Sequence, residues 1–401
     1  MLVKATVAVT SSSVTHNPPS EQNVSSTCLL TLPNTPRFAT QTQHNDSSQI
    51  RDLLYFSTKV FFNSILSIFF SKIEIIGTKH IPREGPVIFC GNHSNQFVDG
   101  IMLMTTVPEH KVSFLVAEKS WHRLIIGNFA YAMGCVPVAR AQDKAHRGTG
   151  KIVIDNGGVV SGQGTNFDSQ ISPGDKLRLG SVLYKVTKVN SPDSLTVEMS
   201  SDDTADCVVS DPSPFDILPR EDQSAVYAKV LSKLAKTGTI GIFPEGGSHD
   251  RTDLLPLKVG FALIAYEALK ELDINVPIIP VGLNYFHGHR FRGRAVVEFG
   301  APIYIDPETL PSYVEGGKEK RRVCSELIDK VADGMRSTLV VTPTYEDLRM
   351  VHTARRLFMD RGQVITAAKR QDLSRRFAVC YKLLLDKFER EGEGEVSNRS
   401  L

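Results

Sequence analysis

Cysteine is sparse in this chain and poorly placed for chemistry. The six thiols stand at positions 28, 90, 135, 207, 324 and 380 with no Cys-x-x-Cys spacing. That argues against a disulfide framework or a thiolate metal site, and for reduced, structural thiols facing the cytosol. Charge imbalance is equally slight. With 46 basic and 44 acidic residues the formal net charge is +2, too small for the global field that nucleic-acid binding requires, so no nucleic-acid partner is expected. No Gly-x-Ser-x-Gly elbow is present, and no Gly-Lys-Ser/Thr follows the glycine cluster at 157–164, which excludes a serine-hydrolase elbow and a phosphate-binding P-loop. No secretory signal is evident. No long apolar run recurs after residue 70, so a polytopic membrane protein is excluded for these residues.

What is present is enough for a core. Apolar residues make up 41% of the 401 positions, which allows two domains or one large domain with an insertion. Residues 1–50 are rich in Ser, Thr, Asn and Gln and are expected to be disordered. Their scarcity of acids fits a transit peptide, although arginine is scarce too. Within 51–72, the run from Leu53 to Phe70 is the most apolar stretch. Its polar residues Lys59, Asn63, Ser67 and Ser71 recur every four positions. This pattern predicts a membrane-associated amphipathic helix lying in the bilayer interface, with a buried core helix as the alternative.

From Ile73 the pattern is α/β. Short apolar runs at 73–76, 87–90, 112–116, 135–139, 239–243, 277–283 and 295–299 alternate with helical patterns around 121–133, 223–236 and 259–272. A sheet flanked by helices is expected over 73–147 and 220–305. Between them, 148–219 carries Val-rich runs separated by Pro-Gly-Asp, Ser-Pro-Asp and glycine turns, the texture of a small antiparallel β insertion. Residues 306–401 read as a helical C-terminal region, with helices near 318–339, 345–359 and 375–389. Basic clusters at 318–322, Arg355-Arg356 and 369–376 suit solvated helix faces or an anionic lipid surface.

Four stretches at strand ends carry the chemistry. In Gly91-Asn92-His93-Ser94-Asn95-Gln96-Phe97-Val98-Asp99 a histidine follows a buried strand, with an acid six positions on. Six residues are about 600° of helical rotation, so the pair cannot meet along a regular helix. His93 must sit in the turn while Asp99 reaches back to one ring nitrogen, leaving the other as a base. A helix N-cap with a satisfied histidine is the alternative. The second stretch ends on Arg140, a candidate anion contact or a surface arginine. The third, Phe243-Pro244-Glu245-Gly246-Gly247-Ser248-His249-Asp250-Arg251, offers Glu245 to substrate hydroxyls, its amides as an anion nest and Arg251 as a charge. His249 and Asp250 lack the further ligands a metal needs. The fourth is the apolar strand at 277–283, leading to a basic loop at 287–294.

Taken in order, these stretches resemble the four blocks of the glycerolipid acyltransferase family (the PlsC-like acyltransferases). The five residues between His93 and Asp99, the FPEGGSHDRTDLLPL run at 243–257, the β insertion, Tyr285–Gly300 and His352-Thr353-Ala354-Arg355-Arg356 resemble one branch. That branch is the fungal-type glycerol-3-phosphate and dihydroxyacetone-phosphate acyltransferases. The resemblance implies transfer of a fatty acyl group from acyl-CoA, as co-substrate, to the sn-1 hydroxyl of glycerol-3-phosphate, with no other cofactor and no metal. It makes His93 and Asp99 catalytic, and Arg140, Glu245, Gly246, Gly247, Ser248, Arg251 and Lys258 substrate-binding. Acylation of lysophosphatidic acid and a catalytically silent lipid-binding protein remain as alternatives. Fungal-type members continue into further membrane-spanning helices, so attachment here is expected to rest on 53–70 and the basic helices. The family implies the cytosolic face of the endoplasmic reticulum.

Overall fold

A computed structural model of the chain describes residues 46–180, 182–198, 209–220, 224–236, 238–286, 291–360 and 364–398. The expected disorder at 1–50 therefore falls almost wholly outside the described residues, as does the basic loop at 287–290.

Along the first half run α1 (Asp46–Phe69), β1 (Phe70–Ile76), β2 (Val87–Gly91), α2 (Gln96–Thr106), β3 (Val112–Ala117), α3 (Glu118–Trp121), α4 (Leu124–Ala132) and β4 (Val136–Val138). The insertion follows with β5 (His146–Arg147), β6 (Lys151–Ile154), β7 (Val159–Gln163), α5 (Phe167–Gln170), β8 (Lys176–Leu179), β9 (Val182–Ser191), β10 (Ser194–Glu198), β11 (Val209–Ser213) and β12 (Asp216–Leu218). The α/β pattern resumes in α6 (Ser224–Leu234), β13 (Thr239–Ile242), α7 (Gly260–Leu272), β14 (Ile278–Phe286) and β15 (Gly293–Phe299). It gives way to helices α8 (Leu310–Glu315), α9 (Gly317–Thr338), α10 (Tyr345–Phe358) and α11 (Ala367–Asn398).

The main sheet has the order β1-β15-β14-β2-β13-β3-β4. Its middle is parallel, β14 and β15 pair antiparallel, and β1 joins β15 in parallel. Every residue of β2 and β13 is buried, as a parallel sheet covered on both faces demands. Alternation sorts them: Ile88 and Cys90 pack with Ile240, Ile242 and the helices α6, α7 and α9, while Val87 and Phe89 face Met102, Leu103 and the α1–α2–α4 side. The insertion forms a separate antiparallel sheet of eight strands, order β11-β6-β7-β10-β9-β8-β12-β5. It closes on its own core around Phe167, Leu177, Leu195 and Phe215, larger than the small module expected.

Three local expectations are corrected. The helix at 51–72 ends at Phe69, because Phe70 to Ile76 pair with β15, and Ser71 is a strand residue donating to the Gly293 carbonyl at 3.1 Å. The polar stripe also does not mark an outer face throughout. Lys59 turns inward and donates to the Val107 carbonyl at 2.9 Å, at the C-terminal end of α2, where a cation offsets unsatisfied carbonyls. The outward face of α1 is instead apolar, with Leu53, Phe56, Val60, Phe61, Ile68 and Phe69 exposed. Finally, the helix expected over 121–133 breaks into α3 and α4, whose Gly127 lies directly against the Trp121 carbonyl. Among the described residues no helix is long and apolar enough to cross a membrane.

Ion pairs bind the C-terminal helices to the sheet edge. Arg370 meets Glu74 of β1 at 2.6 Å, and Arg375 forks onto Glu298 of β15 at 2.8 and 3.1 Å. A capping box between Thr344 and Asp347 starts α10 beside the C-terminal ends of β2 and β14.

Candidate functional site

β2 ends at Gly91, and the chain turns through Asn92 to Asn95 before α2 begins. Asn92 is buried and fixes this turn to β14: its amide oxygen accepts from Leu283 N at 2.7 Å, and its Nδ2 donates to the Leu283 carbonyl at 3.1 Å. The backbone passes through φ 38° at Gln96, a strained value for a side-chain-bearing residue. Asp99, in the first turn of α2, then reaches back. Its Oδ2 lies 2.9 Å from His93 Nδ1 and accepts from Asn95 N at 2.6 Å, and its Oδ1 accepts from the Tyr285 hydroxyl at 2.7 Å. The carboxylate is fully buried, while His93 keeps 19% of its side chain open. Among the described residues His93 Nε2 has no hydrogen-bond partner. The Phe243 ring stacks on the imidazole at 4.4 Å and itself lies parallel to Phe114. Gly241 on β13 admits Phe114, whose ring fills the space a Cβ would take. A base nitrogen left open, on a ring clamped by a buried carboxylate, is suited to accept a proton.

The third stretch locks onto the first. Glu245 Oε1 accepts from His93 N at 2.8 Å, and Oε2 accepts from Leu255 N at 2.8 Å and contacts His249 Nε2. His249 N in turn donates to the His93 carbonyl at 3.0 Å. The Glu245 side chain is entirely buried, so the expectation that it receives substrate hydroxyls is corrected: both oxygens are occupied inside the protein, holding the His93 backbone. Gly246 takes φ 76°, and the Lys258 side chain lies across the position its Cβ would fill. Gly247 is open around its α-carbon.

Two cavities flank the loop at Ser94 and Asn95. The smaller, about 360 Å³, is bordered by Phe97, Val98 and Ser248; the larger, about 440 Å³, by Arg251, Asn284, Tyr285, Tyr345 and His352. Ser248 and Arg251 thus each line one of these cavities. Arg140 does not. It lines neither cavity, and its guanidinium forks onto Asp143 at 2.7 and 2.9 Å, holding that carboxyl below its usual range. Asn92, Phe243, Tyr285 and His352 lie in the stretches that carry the resemblance, yet the sequence assigns none of them a role, and it gives no sign of Tyr345 or Leu348. The one available signal for Tyr285 was a polar-tipped aromatic two residues beyond an apolar strand run.

Three tyrosines here and nearby keep their protons. Burial, reinforced by Asp99, pushes Tyr285 well above 10; burial pushes Tyr55 to about 12; burial and then Asp250, accepting from its hydroxyl at 2.8 Å, push Tyr345 to about 12. Their folded pKa values exceed those of the unfolded chain. The stability they provide is therefore complete below about pH 10 and is lost as pH rises toward 12. Thermal stability should be insensitive to these groups from pH 7 to 9 and drop steeply above 10, with their share of the phenolate absorbance appearing only at the unfolding transition.

A family model described as Acyltransferase matches residues 72–161 and 205–284, its gap falling inside the inserted sheet. An uncharacterized acyltransferase of Schizosaccharomyces pombe is 37% identical over 330 residues, covering 79% of this chain and 48% of that protein. Glycerol-3-phosphate O-acyltransferase 1 of Saccharomyces cerevisiae is 37% identical over 329 residues, covering 79% of this chain and 43% of that protein. The chain thus spans about half the length of these relatives. The crystal structure of the 1-acyl-sn-glycerophosphate acyltransferase PlsC from Thermotoga maritima aligns with 73% of this chain and 84% of its own, at 12% identity and a TM-score of 0.38.

Proposed function

Since this chain belongs to the acyltransferase family, we propose that it moves a fatty acyl group from acyl-CoA to the sn-1 hydroxyl of glycerol-3-phosphate. The observation that carries this reading is the open Nε2 of His93, backed by Asp99, beside a cavity bearing Arg251. The acceptor's phosphate lies against Arg251, and its hydroxyl donates to Nε2. As the hydroxyl oxygen bonds to the thioester carbonyl carbon, Nε2 takes its proton; as the C–S bond breaks, that proton passes to the departing thiolate. Tyr285 and Asn95 stabilise the Asp99 charge that supports the imidazolium. Glu245 and His249 act as positioning residues through the His93 backbone.

The exposed apolar face of α1 is the proposed contact with a lipid surface, where an acyl donor and a lipid product partition. The free, buried Cys90, Cys135 and Cys324 suit a reducing compartment, in keeping with the cytosolic face of the endoplasmic reticulum. The test is an acceptor comparison with labelled acyl-CoA and the purified chain. Glycerol-3-phosphate is expected to be acylated, with dihydroxyacetone phosphate as a further acceptor. Activity on lysophosphatidic acid alone would overturn the acceptor assignment.

A further inference from the structure

On α10 the residues bordering the larger cavity, Tyr345, Leu348 and His352, share a face that runs one turn further to Arg355. Arg355 is buried, at 6% exposure, and makes no ion pair among the described residues. One guanidinium nitrogen, Nη1, donates to the Ser374 hydroxyl at 2.8 Å, and Nε has no hydrogen-bond partner. One turn before Ser374 on α11, Gln371 is 1% exposed, with neither its amide nitrogen nor its amide oxygen partnered among the described residues. The carboxylates that meet the arginines of α11 are already taken, Glu74 by Arg370 and Glu298 by Arg375. Burial lowers the Arg355 pKa, and so do the charged groups acting on it, three more arginines, Arg370, Arg294 and Arg356.

An unpaired buried cation beside an unsatisfied buried amide is among the least favourable arrangements a fold can hold. It becomes reasonable when a ligand completes it. We infer that Arg355, Gln371 and Ser374 form a binding site for a phosphate group. The free edge of the guanidinium presents parallel donors suited to two phosphate oxygens, the Gln371 amide adds a third donor, and the surrounding arginines favour a multiply charged anion over a carboxylate. Among the described residues the core joining α10 to α11 is small, Val340, Val351 and Ala378 with the partly buried Leu348, Phe377 and Tyr381 packed against it, so local opening of this contact can admit such a group. Two sources present this chemistry: the nucleotide phosphates of an acyl-CoA and the headgroup of an anionic lipid. Assigning the former rests on the acyl-transfer reading; the phosphate chemistry does not.

The test measures binding of coenzyme A, of inorganic phosphate, and of phosphatidylcholine vesicles with and without phosphatidic acid to the full chain. Wild type is compared with Arg355→Met, Gln371→Leu and His93→Ala. Each of the first two variants is expected to lose roughly tenfold or more in affinity for at least one phosphate probe and to melt no lower than wild type in phosphate-free buffer. Loss confined to coenzyme A assigns the donor's phosphates, and loss confined to the acidic vesicles assigns a headgroup. His93→Ala should bind all probes as wild type does, so a failure of the acyl-transfer reading stays separate from a failure of this site. Should Arg355→Met not fold, Gln371→Leu carries the comparison. Unchanged affinity for every probe, or lower stability of the variants with binding intact, would overturn the inference.

Discussion

His93→Ala is expected to lower acyl transfer by about 10²–10⁴-fold, the usual worth of general-base assistance, while leaving the fold intact. The ring is partly open and, among the described residues, its only side-chain hydrogen bond is to Asp99. Once the ring is gone, Asp99 still accepts from Asn95 N and from Tyr285, so no buried carboxylate is left bare. Phe243 loses one stacking face but keeps Phe114. Turnover and stability should therefore separate: a large fall in kcat with a melting temperature close to wild type. Unchanged turnover would remove His93 from the mechanism.

Glu245→Ala should behave in the opposite way, with loss of stability leading. The substitution strips acceptors from His93 N, Leu255 N and His249 Nε2 together, all around a fully buried carboxylate. Leaving a buried donor without its acceptor costs about 1–3 kcal/mol, and two backbone amides lose theirs together. Denaturant midpoints should fall accordingly at an unchanged slope, and activity should fall with them, because His93 is no longer held at its backbone. Full stability with lost turnover would instead mean that Glu245 meets the substrate, as the sequence alone had implied.

That contrast shows where sequence reading reaches and where it stops. β2, β13 and β14 were legible because strands buried on both faces are written as unbroken apolar runs, and the runs at 87–90, 239–243 and 277–283 lie within a residue or two of their strands' starts. The His93–Asp99 contact was legible because a six-residue step admits few geometries. Glu245 was misassigned because sequence shows a carboxylate in a turn but not which backbone amides fold around it. The inward turn of Lys59 is illegible for a related reason: a polar stripe states periodicity and not direction, and the carbonyl that draws Lys59 inward belongs to Val107, 48 residues away. Nor does any local pattern announce that α10 reaches back to the cavity, since Tyr345 and His352 meet Asp250 and Phe286 only through the tertiary fold. The insertion's eight strands were visible only as Val-rich runs between turns, because strands as short as His146–Arg147 carry no period of their own.

The most direct measurement of the proposed chemistry follows free thiol and labelled ester together, with the purified chain and labelled acyl-CoA, with and without glycerol-3-phosphate. One-step transfer through His93 predicts thiol release that depends on the acceptor, ester formed in equal amount, and no label retained on the protein. Thiol release without acceptor, with label bound covalently to the chain, would contradict it.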